Sequence, residues 1–202
     1  MPAKAYRIET ERLVVRCYEP SDARILKEAI DQSLDHLKPW MPWARFEPET
    51  FAQKQQRLRE FRGQFDLDKD YVFGIFSKDE KKLIGSTGLH TRIGGNAREI
   101  GYWIHVDEIN KGYVTEAVQA LVKVAFKLEE NERLEIHCDP ENYPSKAVPQ
   151  KLGFTHEATL KDRITDSEGK SRDAMIWTLF KKDYIPADFP FQAFDCAGDP
   201  ID

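Results

Sequence analysis

A chain of 202 residues with a formal net charge of -5, from 30 Lys and Arg against 35 Asp and Glu, has room for one domain with a full hydrophobic core and not for two large ones. The charges are evenly scattered, which excludes the one-sided basic surface of a nucleic-acid binder and favours a cationic small or peptidic partner. Cys17, Cys138 and Cys196 lack zinc or disulfide spacing, no apolar run has the length of a bilayer span, and Met1-Pro-Ala-Lys-Ala5 lacks an apolar signal core, so a soluble protein of the reducing cytoplasm is expected.

Thr10 to Tyr18 carries β-branched and aromatic residues and stops at Pro20, which predicts a first strand. Ser21 is placed to cap a helix over Asp22 to Lys38, where Leu26, Ala29, Ile30, Leu34 and Leu37 recur at helical spacing before Pro39 ends it. Pro39-Trp-Met-Pro-Trp-Ala44 then sets Trp40, Met41 and Trp43 among prolines, predicting a rigid, irregular loop with a large apolar surface. Two uses fit it: cover for the core between two helices, or the wall of a substrate pocket. A second helix opens at Pro48-Glu-Thr50, with Phe51, Leu58, Phe61 and Phe65 as a thin apolar stripe.

Tyr71 to Phe76 and Lys82 to His90 read as antiparallel strands joined by the polar turn Ser77 to Lys81. Gly94-Gly-Asn96 turns the chain into a further strand, Ala97 to Val106, with Ile100, Tyr102, Ile104 and Val106 on one face and Glu99, Gly101, Trp103 and His105 on the other. That strand runs through Asp107-Glu-Ile-Asn-Lys-Gly-Tyr-Val114 straight into a periodic helix bearing Ala117, Leu121, Val124, Ala125 and Leu128. Asn110 and Gly112 tolerate positive φ, so the turn aims several backbone N–H groups at the space before the helix. Unpaired N–H groups and the helix dipole favour a phosphate there, with Lys111 as a mobile cation beside it.

Leu134 to Cys138 is a short strand separated from the previous one by that helix, which predicts a parallel pair with a right-handed crossover. Asp139-Pro-Glu-Asn142 turns into a short helix from Pro144 to Lys151, closed by Gly153, and Pro149 inside it is expected to kink or shorten it. Phe154 to Ile164 and Arg172 to Phe180 form a closing hairpin. Ile185 to Asp202 has little periodicity and reads as a tail that docks or meets another subunit.

The five histidines stand isolated at 36, 90, 105, 137 and 156, without metal-ligand spacing, so no metal is expected. The chain has no Gly-Lys-Ser/Thr phosphate loop, no Gly-x-Ser-x-Gly elbow and no Gly-x-Gly-x-x-Gly after a strand, which turns the reading away from nucleotide hydrolysis and hydride transfer. What remains is the anion turn and, about thirty residues on, a second strand-turn-helix with Asn142 and Ser145 at its mouth. Two adjacent strand ends make one crevice.

Ile100-Gly-Tyr-Trp-Ile104, Asn110-Lys-Gly-Tyr-Val-Thr-Glu-Ala117, Asn142-Tyr-Pro-Ser145 and Lys151-Leu-Gly-Phe154, in this order and spacing, resemble the GNAT superfamily of N-acetyltransferases. Thr10-Glu-Arg-Leu13 and His36-Leu-Lys-Pro-Trp-Met-Pro-Trp43 are similar to its RimJ/RimL branch, so the resemblance covers nearly the whole chain. It implies an α/β (α+β) fold over residues 1–184, with a mixed, mostly antiparallel sheet of about seven strands, a central parallel pair and flanking helices, and a tail at 185–202. It also implies acetyl-CoA as cosubstrate and a primary amine as acceptor. The pyrophosphate would sit on the backbone of Asn110, Lys111, Gly112, Tyr113, Val114 and Thr115, and Ile104, His105 and Val106 would pair with the pantetheine arm as a strand would.

Acetyl transfer needs a neutral amine, a polarised carbonyl and a protonated leaving thiolate. Glu99, where the family often carries a glutamate, is the candidate base; the bland reading is a solvated strand carboxylate. By the same resemblance, Ser145 would protonate or hydrogen-bond the departing sulfur and Asn142 would hold the pantetheine amide, although a serine near a helix start is also an ordinary cap. Trp40, Met41 and Trp43 would wall the acceptor pocket with Glu99 at its base. Asn110 departs from the family's usual glycine and would keep binding at modest cost. The leading acceptor is the N-terminal α-amine of a ribosomal or other protein; an aminoglycoside-like or polyamine-like amine and a non-catalytic CoA-binding module are the alternatives. No nucleic-acid or membrane partner is expected, and the chain is read as a monomer or homodimer.

Overall fold

In the computed structural model, which describes residues 4–201, β1 (Arg7–Glu9) and β2 (Leu13–Cys17) form an antiparallel pair with Arg7 opposite Arg16. The stretch expected as one strand from Thr10 therefore contains a reversal. Thr10 makes it: its N–H donates to the Leu13 carbonyl at 3.0 Å and its hydroxyl oxygen accepts the Leu13 N–H at 3.1 Å.

Helix α1 (Ala23–Leu37) follows a 3-10 turn at Pro20–Asp22. Ser21 lies inside that turn and is not the cap; Glu19 and Asp22 cap each other, with the Asp22 carboxylate accepting the Glu19 N–H at 2.8 Å. The Trp-rich stretch is not irregular throughout, because Pro42–Phe46 winds into a 3-10 helix with proline at its start. Helix α2 (Phe51–Asp66) begins at Thr50, which forms a capping box with Gln53. Its buried side differs from the expected stripe: Lys54, Leu58 and Phe65 are buried, whereas Phe51 is exposed.

β3 (Tyr71–Ser77), β4 (Leu83–His90) and β5 (Ala97–Ile104) form an antiparallel meander. Helix α3 (Tyr113–Lys127) crosses over to β6 (Arg133–Cys138), which lies parallel to β5 as the spacing predicts. Helix α4 (Tyr143–Lys151) and the hairpin of β7 (Thr155–Thr165) and β8 (Ser171–Phe180) follow, with β8 lying between β6 and β7. Beyond Tyr184 the chain returns to the far edge, where β9 (Gln192–Phe194) pairs with β1 and β10 (Pro200–Ile201) pairs with β9.

Among the described residues the sheet has ten strands in the order β10-β9-β1-β2-β3-β4-β5-β6-β8-β7. The three strands beyond the expected number are β1, β9 and β10, each of three residues or fewer, too short for alternation to mark them. Helices α1 and α2 cover one face over Val14, Tyr18, Leu26, Ile30, Leu58 and Phe76. Helix α3 covers the other with Val118, Leu121 and Val124 against Val15, Ile75, Leu89 and Leu134. No helix among the described residues is long and apolar enough to cross a membrane.

One feature of the sheet positions the site. The parallel ladder runs only from Ala97 with Arg133 to Glu99 with Glu135, after which β6 pairs with β8 alone, as far as Cys138 with Met175. Residues 100–104 of β5 thus keep a ladder partner on the β4 side only. An open strand edge in mid-sheet exposes amide groups to whatever enters there.

Candidate active site

The turn before α3 has the geometry its sequence predicts. Asn110 stands at φ 61° and Gly112, the N-cap residue, at φ 80°. No side chain caps this helix end, and the first intrahelical bond runs from the Glu116 N–H to the Gly112 carbonyl at 3.0 Å, so the earlier amides stay free for an anion. Lys111 is less free than expected: its ammonium sits 3.0 Å from the Glu108 carboxylate.

The nearer fixed cation is Arg12, which sequence reasoning missed. From the β1–β2 turn it donates to the Lys111 carbonyl at 3.0 Å, pairs with the buried Glu116, and lies 4.6 Å from the Tyr113 ring centre. Thr10 also donates to Glu116, at 2.6 Å. The Thr10-Glu-Arg-Leu13 stretch was the available signal, but nothing in its spacing says that it braces a turn a hundred residues away. A hollow of about 460 Å³ beside the turn has Arg12, Gly112, Thr115, Lys151 and Phe189 on its walls.

The three residues assigned to the pantetheine arm behave differently from one another. Ile104 lies on the open strand edge. His105 is buried, with its Nε2 3.1 Å from the Gln32 side-chain oxygen and its Nδ1 accepting the Asp107 N–H at 3.1 Å. Val106 donates its N–H to Ser33 at 3.0 Å. Helix α1 therefore anchors 105 and 106, and the free edge lies just before them.

Asn142 caps α4, its side-chain oxygen accepting the Ser145 N–H at 3.2 Å, which leaves its amide nitrogen as a donor. Pro149 neither breaks nor ends α4, which runs unbroken to Lys151. Its missing N–H leaves the Ser145 carbonyl without its helical donor, and the Tyr102 hydroxyl supplies one at 2.9 Å. Ser145 Oγ in turn donates to the Tyr102 oxygen at 3.2 Å. Pro149 thus couples α4 to β5 and fixes Ser145 beside Tyr102, whose phenol is raised in pKa by burial.

These groups open into a cleft of about 750 Å³ that reaches through the sheet toward α1 and α2. Trp40, Met41 and Trp43 are half-buried along its wall; Trp43 packs against Trp103 at 6.3 Å between ring centres, and the Arg172 guanidinium lies 5.2 Å from Trp40. Behind that wall the fully buried Lys54 pairs with Glu47 and Glu49 and fastens α2 to the chain after Phe46.

Glu99 is on the floor, 6% exposed, with Arg92 holding both carboxylate oxygens, one through Nε at 2.7 Å. His137 Nδ1 stands 3.6 Å away. Burial opposes the charge of Glu99, but the Arg92 hydrogen bonds and charge, with His137, outweigh it and hold the carboxyl below its ordinary range. His90 and Asp70 share the floor, 2.8 Å apart, and had no local signal because twenty residues separate them.

A family profile described as Acetyltransferase (GNAT) domain matches residues 12–155. The [Ribosomal protein uS5]-alanine N-acetyltransferase of Escherichia coli (strain K12) is 30% identical over 186 residues, covering 89% of this chain and 93% of that protein. Among solved structures, the ribosomal-protein-S5-alanine acetyltransferase from Vibrio fischeri superposes with a TM-score of 0.78 at 25% identity, over 89% of this chain and 99% of that one. Mycobacterium smegmatis RimJ, solved with a CoA-disulfide, has the same fold, with a TM-score of 0.75 at 21% identity over 91% and 88% of the two chains. With the open edge of β5, the uncapped start of α3 and the Asn142–Ser145 crevice in one arrangement, these matches have one meaning: the chain belongs to the GNAT acetyltransferases and is an acetyl-CoA-dependent N-acetyltransferase.

Proposed function

We propose that this protein transfers acetyl from acetyl-CoA to the N-terminal α-amine of a ribosomal or other protein in the cytoplasm, by direct attack of the amine on the thioester. The observation that carries the reading is the single cleft in which Tyr102, Asn142 and Ser145 on the cofactor side meet a carboxylate floor under a tryptophan wall. A long cofactor fits the donor side: amides before α3 for the pyrophosphate, the β5 edge up to Ile104 for the pantetheine arm, and the Asn142 amide for one of its carbonyls.

Ser145 and Tyr102 bring two hydroxyls to the place where the sulfur would leave. Glu99 has both oxygens engaged by Arg92 and a lowered pKa, which suits it to attract the acceptor ammonium and makes it a weak proton acceptor. The protein acceptor is supported by the Escherichia coli and Vibrio fischeri relatives, whose names specify the alanine of a ribosomal protein.

The test is release of CoA thiol from acetyl-CoA, with peptides bearing N-terminal alanine or serine set against an aminoglycoside and a polyamine. Preferential turnover of the peptides is expected. Preference for a small amine would reassign the acceptor, and tight acetyl-CoA binding with no turnover on any amine would make the protein a binding module.

A further inference from the structure

The floor of the cleft holds a second titratable pair that the reading above leaves without a task. His90 ends β4 and stands opposite Glu99 in the β4–β5 register. Its Nδ1 meets Asp70 Oδ2 at 2.8 Å, while Asp70 Oδ1 accepts the Thr91 N–H at 3.1 Å. Asp70 is partly buried, and its carboxyl stays below the ordinary range because His90 and the Thr91 amide outweigh the cost of that burial. An ionised carboxylate only accepts hydrogen bonds, so Nδ1 carries the hydrogen and Nε2 of the neutral ring keeps its lone pair. Nε2 has no protein partner among the described residues, and the residue lines the cleft.

The sheet makes room for this ring. A Cβ at Gly88 would stand 2.8 Å from Nε2 and 2.9 Å from the Tyr71 carbonyl, and one at Gly101 would stand 3.2 Å from Nε2. Neither glycine has a positive φ, so space for the imidazole accounts for Gly101, and space for the ring and the neighbouring strand accounts for Gly88. Gly101 immediately precedes Tyr102, the residue bonded to Ser145, so Nε2 lies beside the strand that would present the thioester. Asp70 from the α2–β3 connection, Arg92 from the β4–β5 turn, Glu99 from β5 and His137 from β6 are the charged or titratable groups around the ring, and Arg92 and Glu99 close on each other.

We propose that the His90 imidazole, oriented by Asp70, is the proton acceptor for the incoming ammonium; this rests on the N-acetyltransferase reading above. One ammonium proton passes to Nε2, and the freed nitrogen lone pair forms the C–N bond at the thioester carbonyl. The C–S bond then breaks with its electron pair going to sulfur, the second nitrogen proton is transferred to the thiolate through the Tyr102 and Ser145 hydroxyls or solvent, and His90 returns its proton to solvent. One proton is released per turnover, as the conversion of ammonium and thioester to amide and thiol requires.

The experiment compares variants for acetyl-CoA binding, read as a thermal shift, and for kcat against pH with saturating N-terminal-alanine peptide. Wild-type kcat is expected to fall on the acidic side of its optimum. His90→Gln should lower kcat by about 10²–10⁴-fold and remove that limb while keeping the acetyl-CoA shift. Asp70→Asn should cost less, and Gly101→Ala, which leaves both partners but displaces the ring, should cost activity too; added imidazole should restore part of the turnover of His90→Gly.

Retention of kcat within about twofold and of the acidic limb in His90→Gln, with loss of both in Glu99→Gln, would overturn the proposal in favour of Glu99. If His90→Gln no longer folds, unchanged kcat and limb in both Asp70→Asn and Gly101→Ala would overturn it instead. Wild-type enzyme that binds acetyl-CoA and acetylates no amine would refute the transferase reading, a result separate from either.

Discussion

The turn before α3 and the floor of the cleft are built on opposite principles. At the end proposed for the cofactor pyrophosphate the groups on offer are backbone amides before α3, and two left-handed residues, Asn110 and Gly112, aim them. At the end proposed for the acceptor they are side chains from four separate segments, Asp70, His90 with Arg92, Glu99 and His137, each charge held by another. The cofactor end should therefore tolerate changes of side chain that respect φ, and the acceptor end should tolerate neither the loss of a charge nor a shift of a ring.

The harshest test of that contrast is Lys54→Ala, behind the acceptor wall. It would strand Glu47 and Glu49, whose side chains are 3% and 9% exposed, without their buried cation. A destabilisation of about 3–5 kcal/mol is expected, lowering the melting temperature by roughly 6–20 °C. Thermal denaturation at neutral pH measures it, and a loss below about 1 kcal/mol would show that the wall does not depend on this ion pair.

Arg12→Ala addresses the side chain that braces the turn before α3. Without its bond to the Lys111 carbonyl the turn is less fixed, and acetyl-CoA affinity should fall about tenfold, or about 1.4 kcal/mol. Calorimetric titration would show it. An equal fall in kcat at saturating acetyl-CoA would mean that Arg12 also shapes the acceptor end, blurring the division.

A milder effect should appear in the pH dependence of stability. Hydrogen bonds from Arg57, with Lys54 beside them, hold the Glu49 carboxyl down to about 2 against its burial. A depressed pKa stabilises the fold above the unfolded value, about 4.3, and that contribution drains away as pH falls from there toward about 2. Denaturation profiles across this window should therefore slope less in Glu49→Gln than in the natural protein; equal slopes would place the acid sensitivity elsewhere.

The smallest change expected is that of Asn110→Gly. Glycine occupies φ near 61° at no steric cost, so stability should rise by up to about 1 kcal/mol with acetyl-CoA affinity unchanged within about twofold. A marked loss of affinity would show that the Asn110 side chain itself touches the cofactor, breaking the view of this end as backbone alone.

Much of the molecule was legible in advance where a signal is local. The strand, turn and helix from Ala97 to Lys127 follow from alternation, two turn residues and a helical stripe, because each is set by neighbours within a few residues. Lys54 shows the limit: its place on the stripe predicts burial only for an apolar side chain, and the two glutamates that make burial tolerable come from the chain just before the helix. Pro149 was readable as a missing donor, but its consequence depends on a tyrosine of another strand.

By itself the sequence determined the order of the longer elements, the parallel β5–β6 pair and the left-handed turn before α3, all consequences of backbone preference and hydrophobic period. Only the tertiary structure decided that β5 and β6 part after Glu99, that Arg12 braces the turn, that Arg92 claims Glu99, and that His90 lies free-ended over Gly101 with Asp70 behind it. Those outcomes depend on which side chains meet across the sheet, and a single chain's local pattern does not encode distances between residues that are far apart along it.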